Sequence, residues 1–500
     1  MLEITVFACG ALVMTFEIIG SRILSPFLGA STYIWTSLIG VILASLSLGY
    51  WLGGRAADRK PDLKYLAAIL IVASGLISLT ALIKEVLLSK IAGLPAGLEL
   101  KALIAAILLF APASVCLGFV TPFAVRLRTT TLESTGRTVG RLYALSTIGS
   151  IVGTFAAGFL LIPFVGSVRT LYLIAASLFI LSVMLVPLTV TKAAITSVIL
   201  LVFGITATEA NIYLLRATSD VHDIDTEYSR IQVFTTTELS TNKEFRALAT
   251  DPYFVQSAIY LDSDELVLKY GHFYHLIRYF KPDLENTLII GGAGYTFPME
   301  YLRTYPTAKL DVVEIDPQMT EIARRFFRMK DDPQINIIHE DGRMFINRTD
   351  GGKYDAILMD AFGSLFSVPT HLTTIEAVKH FGRILKDNGV VIFNLGSAIN
   401  GPGSRFLNAE LATYKKVFPN VYIFKVNFDY PDEKLQNLII VASKSSTPFE
   451  RLTSDPQIAS LLEHRYTNEI PITTNILTDD LAPVEYYNSI AQNIYLSERR

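Results

Sequence analysis

The strongest constraint on this chain is a series of long apolar runs confined to its first 208 residues. A helix needs about 20 apolar residues to cross the hydrocarbon core of a membrane. Runs near that length cover residues 4–24, 33–52, 66–83, 102–125, 142–165, 171–188 and 193–207, of which the last is short. The first run lacks a basic leader and a cleavage site, so we expect a membrane span there and not a signal peptide. The sequence therefore predicts a multi-pass α-helical membrane domain over residues 1–208, with six or seven spans.

Charge divides the chain at the same place. Residues 1–208 contain 14 Lys/Arg and 7 Asp/Glu, whereas the remainder contains 29 and 39. Basic connections favour the cytoplasmic side of a membrane, and the most basic ones here are 53–60 and 126–141. This pattern predicts a cytoplasmic N-terminus. Seven spans would then put the rest of the chain outside, and six would put it inside. In one run, Gly149 and Gly153 have the spacing of a close helix–helix contact.

After residue 208 the pattern becomes alternating and charged. Residues 228–236 alternate like a strand and 257–268 look strand-rich, which predicts a small β-strand domain over 221–280. Beyond it, short apolar runs alternate with helix-length segments, as in a parallel sheet covered on both faces. We expect an α/β Rossmann-like domain over 281–445 and a C-terminal extension over 446–500.

The candidate site lies at the ends of these predicted strands, because ligands of open α/β sheets bind beyond the carboxyl ends of the strands. Each acid there also fits a helix N-cap, but several in register favour a nucleoside site. The glycine turn lacks the Lys and Ser of a phosphate cradle, and no His/Cys/Asp cluster has metal-ligand spacing, so we expect no metal. In chain order the strand ends carry Gly291, Gly292 and Gly294, then Glu314, then Asp341 and Gly342, and finally Asp360.

These motifs resemble the spermidine synthase (polyamine aminopropyltransferase) family, in particular its bacterial branch with a fused hydrophobic N-terminal domain. The resemblance covers the whole chain and includes 17–26 (EIIGSRILSP), 48–59 (LGYWLGGRAADR) and 477–483 (LTDDLAP). It implies a multi-pass α-helical membrane domain fused to a small β region and an α/β Rossmann-like methyltransferase-type domain.

The resemblance also implies transfer of an aminopropyl group from decarboxylated S-adenosylmethionine to an amine such as putrescine, which leaves methylthioadenosine. The donor is a co-substrate, and no permanently bound cofactor is expected. Asp360 matches the catalytic acid, which would accept the proton that the amine must lose before it attacks. His371 is expected to touch the substrate, to cap a helix or to lie at the surface. The positions that match donor contacts are Gly291, Gly292, Gly294, Glu314, Asp341, Gly342 and Gln256, and Tyr270 is expected near the amine.

Two departures from the family pattern affect the expected substrate. Gly294 stands where the family has an Asp that holds the donor's amine, and the family's Asp-x-x-Asp gate reads Asp360-Ala361-Phe362-Gly363. Alternatives are therefore a methyltransferase that uses intact S-adenosylmethionine and a membrane transporter or sensor that binds a nucleoside without catalysis.

The expected partners are a small amine and the lipid bilayer, and no nucleic acid is expected. The sequence leaves open whether the protein forms a homo-oligomer. Adenosyl sulfonium donors are cytosolic, so we expect a multi-pass cell-membrane protein with a cytoplasmic catalytic domain. That location requires six true crossings, with one of the seven runs interfacial or re-entrant.

Overall fold

The computed structural model describes residues 1–129, 131, 135–186, 192–252, 254–361, 368–448, 450, 452–472 and 474–498. They form two compact units. The first contains Met1–Ser219 and Asp223–Arg230, and the second contains Asp220–His222 and Ile231–Arg500. The predicted boundary at 208 falls inside a helix that ends at Ser219.

The first unit is helical. A π-helical turn at Ala157–Leu161 joins its seventh and eighth helices. The helices are α1 (Leu2–Leu28), α2 (Thr32–Arg59), α3 (Leu63–Ala92), α4 (Leu98–Leu109), α5 (Ala111–Gly118), α6 (Val120–Arg128), α7 (Thr135–Ala156), α8 (Ile162–Val165), α9 (Ser167–Leu185) and α10 (Lys192–Ser219).

Six of the seven predicted apolar runs lie within the helical segments of this unit, and the run at 171–188 begins in α9 and extends beyond the described residues at 187. In the described part of the chain, six helical segments are long and apolar enough to cross a membrane, or seven if α4 and the following Ala111–Arg128 form one span bent by 51°. The run predicted at 102–125 is thus broken near Phe110, next to Pro112, which cannot donate a backbone hydrogen bond. The run at 193–207, the shortest by sequence, lies in a helix of 28 residues.

Helix α7 packs closely against α1. A Cβ atom on Gly149 would stand 2.0 Å from the carbonyl oxygen of Phe7, and one on Gly153 would stand 2.1 Å from that of Ala11. The contact predicted from the glycine spacing is confirmed, because only glycine lets the two backbones approach this far. In these contacts the residue numbers increase in the same direction along both helices, so α1 and α7 are parallel.

The two ends of the helical unit carry different segments. Glu3 pairs with Arg141 of α7 at 3.0 Å, so the first turns of α7 lie at the Met1 end. At the other end of α1, Arg22 pairs with Asp225 at 3.1 Å, and Asp225 also accepts from the backbone N–H of Ser167 at 2.6 Å. Residues 223–230 therefore lie at the opposite end from Met1, whereas the expected six crossings need both at the same end.

The second unit begins with a small antiparallel sheet. Strand β1 (His222–Asp225) comes first in chain order, although its residues 223–225 belong to the first unit. Strand β2 (Arg230–Thr237) pairs with β3 (Glu244–Ala249), and β3 pairs with β4 (Ser257–Tyr260). The sequence predicts strands up to residue 268, but only an isolated bridge joins Ile259 to Leu266. Residues 269–280 are helical: α11 (Lys269–Phe273), a 3-10 turn (Tyr274–Leu276) and α12 (Ile277–Phe280).

A large mixed sheet dominates this unit. Its described strands have the order β12-β10-β11-β9-β8-β5-β6-β7. Strands β7, β6, β5, β8 and β9 are parallel, as the alternating apolar runs predict, and β11, β10 and β12 continue the sheet in antiparallel pairing. The strands are β5 (Asn286–Ile290), β6 (Lys309–Glu314), β7 (Ile335–His339), β8 (Tyr354–Met359), β9 (Leu385–Ser397), β10 (Asn420–Lys425), β11 (Gln436–Ser443) and β12 (Arg465–Tyr466).

Helices cover both faces of this sheet, and the central strands are buried on both sides. Phe393 of β9 points into one apolar core and its neighbour Ile392 into the other. Asp316 and Pro317 begin α14 as N-cap and first residue, an arrangement that fixes where the helix starts. The helices are α13 (Thr296–Thr304), α14 (Pro317–Phe326), α15 (Gly342–Arg348), α16 (Ile375–Ile384), α17 (Arg405–Tyr414), α18 (Pro456–Glu463) and α19 (Val484–Glu498), with 3-10 turns at Thr370–Leu372 and Pro402–Ser404.

Candidate active site

The parallel strands bring the predicted residues to one edge of the sheet. The glycine turn follows β5, Glu314 ends β6, Asp341 follows β7, Asp360 follows β8 and Asn394 lies near the end of β9. Because β5 lies between β6 and β8, the glycine turn stands between Glu314 and Asp360. This is the edge at which α/β sheets bind ligands.

Gly291 allows β5 and β8 to converge at this edge. Its φ is +99°, and a Cβ atom there would stand 2.2 Å from the carbonyl oxygen of Asp360. The backbone N–H of Asp360 also donates to Ile290 at 2.9 Å. A side chain at position 291 would therefore push Asp360 away from the glycine turn.

Glu314 is buried and holds the glycine turn in place. Its Oε2 accepts from the backbone N–H groups of Gly292 at 2.8 Å and Ala293 at 3.1 Å, and its Oε1 accepts from Asp316 at 3.0 Å. Burial raises the pKa of Glu314, and these hydrogen bonds oppose the rise. A carboxylate offers about four acceptor positions, so the three bonds leave roughly one for a ligand hydroxyl.

Asp341 is the N-cap of α15. Its Oδ1 accepts from the backbone N–H groups of Arg343 at 2.8 Å and Met344 at 3.1 Å. Its Oδ2 lies 3.1 Å from Nε2 of His371, whose side chain is 47% exposed. The cap that the sequence left open as an alternative is therefore formed here, and His371 lies beside Asp341 at the surface. Arg343 in turn binds Asp479 at 2.8 Å, which ties the late LTDDLAP segment to this edge.

Asp360 is partly buried, and hydrogen-bonded amides order its carboxylate. Asn394 donates from Nδ2 to Asp360 Oδ1 at 3.1 Å, and Asn437 donates from Nδ2 to Asn394 Oδ1 at 3.1 Å. Burial raises the pKa of Asp360 above its ordinary value, while Asn394 and the nearby hydroxyls of Tyr274 and Tyr270 oppose the rise. A carboxyl group of this kind can take up a proton more readily than an exposed one.

Two cavities meet at Asp360, and Tyr270 and Ala293 also line both of them. The larger of the two has an empty volume of about 740 Å³, which includes space open to solvent. Gln256 lines this larger cavity and donates from Nε2 to Thr250 at 2.7 Å. Tyr270 donates its hydroxyl to the carbonyl oxygen of Gln256 at 3.2 Å. Gln256 and Tyr270 thus lie beside Asp360, whereas His371 stands with Asp341 farther along the edge.

The environment of Gly294 explains why it carries no carboxylate. Its backbone N–H donates to Ser257 Oγ at 2.9 Å, and a Cβ atom on Gly294 would stand 2.7 Å from Ser257 Cβ. Ser257 therefore occupies the space that an Asp at position 294 would need. The other departure from the family pattern is the missing second acid after Asp360. Its surroundings cannot be described, because residues 362–367 lie outside the described part of the chain.

Sequence reasoning missed Asn394 and Asn437. Asn394 is the last residue of the fifth short apolar run after residue 280. The rule that ligands bind at the carboxyl ends of the strands, which selected Asp360, therefore also applies to Asn394. Asn437 lies on an antiparallel strand that the apolar pattern did not assign. Among the described residues, no group of His, Cys, Asp and Glu could hold a metal ion.

The sheet order, with parallel strands and a glycine turn after β5, defines an α/β domain of the Rossmann-like, methyltransferase type. Residues 271–447 match the family model of the spermine/spermidine synthase domain. The polyamine aminopropyltransferase of Vibrio vulnificus is 30% identical over 257 residues, which cover 50% of this chain and 80% of that protein.

A probable polyamine aminopropyl transferase of Bifidobacterium longum is 27% identical, over 40% of this chain and 48% of that protein. The crystal structure of a probable spermidine synthase from Corynebacterium glutamicum matches with a TM-score of 0.40 and 20% identity, over 46% of this chain and 82% of that one. The chain belongs to the polyamine aminopropyltransferase family, and it is a transferase.

Proposed function

We propose that this protein transfers an aminopropyl group from decarboxylated S-adenosylmethionine to a primary amine. The observation that carries the proposal is Asp360, which stands between the glycine turn and a cavity and is ordered by Asn394 at 3.1 Å. Family membership supplies the reaction class, and this geometry supplies a proton acceptor where the two substrates would meet.

The chemistry follows from these groups. The amine nitrogen attacks the aminopropyl carbon next to sulfur, a C–N bond forms, the C–S bond breaks and methylthioadenosine leaves. An ammonium ion has no lone pair, so the attacking amine must lose a proton, which Asp360 accepts. Holding both reactants in line can lower the barrier by about 7–11 kcal/mol. Glu314 and Asp341 would hold the adenosyl part, Glu314 through its one remaining acceptor position.

A second candidate function is methyl transfer from intact S-adenosylmethionine. It is favoured by Gly294, because no acidic side chain at this position would repel the carboxylate that only the intact donor carries. Incubating the full-length protein with each donor and a panel of amines, followed by mass spectrometry, separates the two functions. Aminopropyl transfer predicts a product heavier by an aminopropyl group and released methylthioadenosine. A methylated product, formed only from the carboxylated donor, would replace the proposal with the second candidate.

We further propose that α1–α10 anchor the protein in the cell membrane as a multi-pass domain. The support is the length and apolar character of the six segments, or seven with the bent pair. Large apolar side chains on these helices are exposed, including Phe159 at 69% and Phe164 at 80%, as expected of a surface that faces lipid.

The location of the catalytic unit is a separate proposal. Its donor is cytosolic, so we propose that this unit lies in the cytoplasm. Residues 223–230 and Met1 lie at opposite ends of the helical unit, so this location puts the N-terminus and the basic connection 126–141 outside, against the positive-inside tendency. Cysteine labelling in intact cells, at one site in 129–134 and one at the C-terminus, tests it: only the first should react with a membrane-impermeant reagent. Labelling of the C-terminal site alone would contradict the proposal.

A further inference from the structure

The larger cavity beside Asp360 has an unusual charge composition for a site that takes an amine. Three asparagines line it, Asn394, Asn437 and Asn488, together with the aromatic side chains Phe254 and Phe406. Among the described residues that line it, Asp360 is the only charged one. Its single carboxylate is already required to take the proton from the attacking nitrogen.

Glu314, the carboxylate that binds the glycine turn, is not among the described residues that line this cavity. Position 294 has no space for a carboxylate, because a Cβ atom there would already meet Ser257 at 2.7 Å. The segment 361–367, which follows Asp360 in the chain, has the sequence AFGSLFS and contains no acid. Residues 361–367 therefore supply no acidic side chain.

This composition determines which amine can bind well. An alkyl diamine carries two positive charges at neutral pH, and only one end is deprotonated for attack. The other ammonium would enter the cavity without a second counter-ion, and removing an unpaired charge from water is unfavourable. Asparagine amides both donate and accept hydrogen bonds, so they satisfy a neutral polar group without that cost.

We propose, building on the aminopropyl transfer above, that the acceptor is a primary amine whose far end carries a neutral hydrogen-bonding group. A hydroxyl or an amide fits this description, and a second ammonium does not. Asn437 and Asn488 are then specificity-determining residues, whereas Asn394 orients Asp360.

The test compares two acceptors that differ only at the far end, 4-amino-1-butanol and 1,4-diaminobutane, with decarboxylated S-adenosylmethionine and the full-length protein. We expect kcat/KM to be at least tenfold higher for the amino alcohol. Equal or higher kcat/KM for the diamine would overturn the inference but leave the proposed function standing. No aminopropylated product from any amine would overturn both.

A charge variant tests the same idea from the protein side. Asn488→Asp adds a carboxylate to the cavity wall and should shift the kcat/KM ratio at least tenfold toward the diamine. Asn347→Asp makes the same change at an exposed position of α15 and should leave the ratio unchanged. If thermal melting shows that Asn488→Asp is unfolded, Asn437→Asp takes its place. An unchanged ratio in a folded variant would refute the role of these asparagines.

Discussion

Replacing Asp360 by Asn tests whether its carboxylate accepts the proton of the attacking amine. The change is nearly isosteric, and the new amide oxygen can still accept from Asn394 Nδ2, the bond that spans 3.1 Å in the native protein. The fold should therefore survive while the base is lost. General base catalysis contributes about 10²–10⁴-fold, so kcat should fall by that factor, equivalent to about 3–5 kcal/mol of transition-state stabilisation.

The assay is release of methylthioadenosine under saturating donor and amine, combined with calorimetric titration of methylthioadenosine itself. Its affinity should change less than threefold, because Glu314 and Asp341, at the other strand ends, are untouched. Burial raises the pKa of Asp360, so the rate of the native enzyme should rise with pH as this carboxyl group ionises, and the variant should lose that step. Asp350→Asn, at an exposed position, serves as control. A variant at position 360 that kept more than a tenth of native kcat would refute the assignment.

Three further predictions concern buried groups near the site and in the core. Glu410 is fully buried, neither of its carboxyl oxygens has a hydrogen-bond partner in the described structure, and burial raises its pKa well above the usual value. Glu410→Leu should therefore stabilise the protein by about 1–3 kcal/mol. The melting-temperature gain should grow as pH rises above the unfolded-state pKa, because ionisation then favours the unfolded chain; a gain independent of pH would contradict this. Glu314→Gln replaces one acceptor oxygen by an NH₂ donor that faces backbone N–H groups. Calorimetry should then show methylthioadenosine binding at least tenfold more weakly. An unchanged affinity would argue against a role of Glu314 in holding the nucleoside. Gly294→Asp should lower the melting temperature because of the contact with Ser257, and adding Ser257→Gly should recover part of the loss; additive losses would disprove the steric explanation.

Much of the site could be predicted because parallel strands place their carboxyl ends at one edge. That rule alone brings Glu314 and Asp360 to either side of the glycine turn, and the structure shows them there. What the rule cannot give is the role of each acid. Asp341 is an N-cap and Glu314 binds three backbone N–H groups, and both arrangements depend on local turn geometry that composition does not encode.

Other features needed tertiary information. Residues 269–280 fold as short helices, and in the described part of the segment before them the small sheet extends past Tyr260 only through the bridge between Ile259 and Leu266. The reason for Gly294 became visible only when Ser257, 37 positions earlier in the chain, was placed against it. In the helical unit the apolar runs were recognisable, but the directions of the helices depend on contacts such as that between α1 and α7, which hydropathy does not report.

The most direct test of the account is a structure of the full-length protein with methylthioadenosine bound. The account predicts the ribose beside Glu314, the adenine toward Asp341 and the thioether directed at Asp360. A nucleoside found elsewhere in the catalytic unit or among the apolar helices, or no binding at saturating concentration, would contradict it.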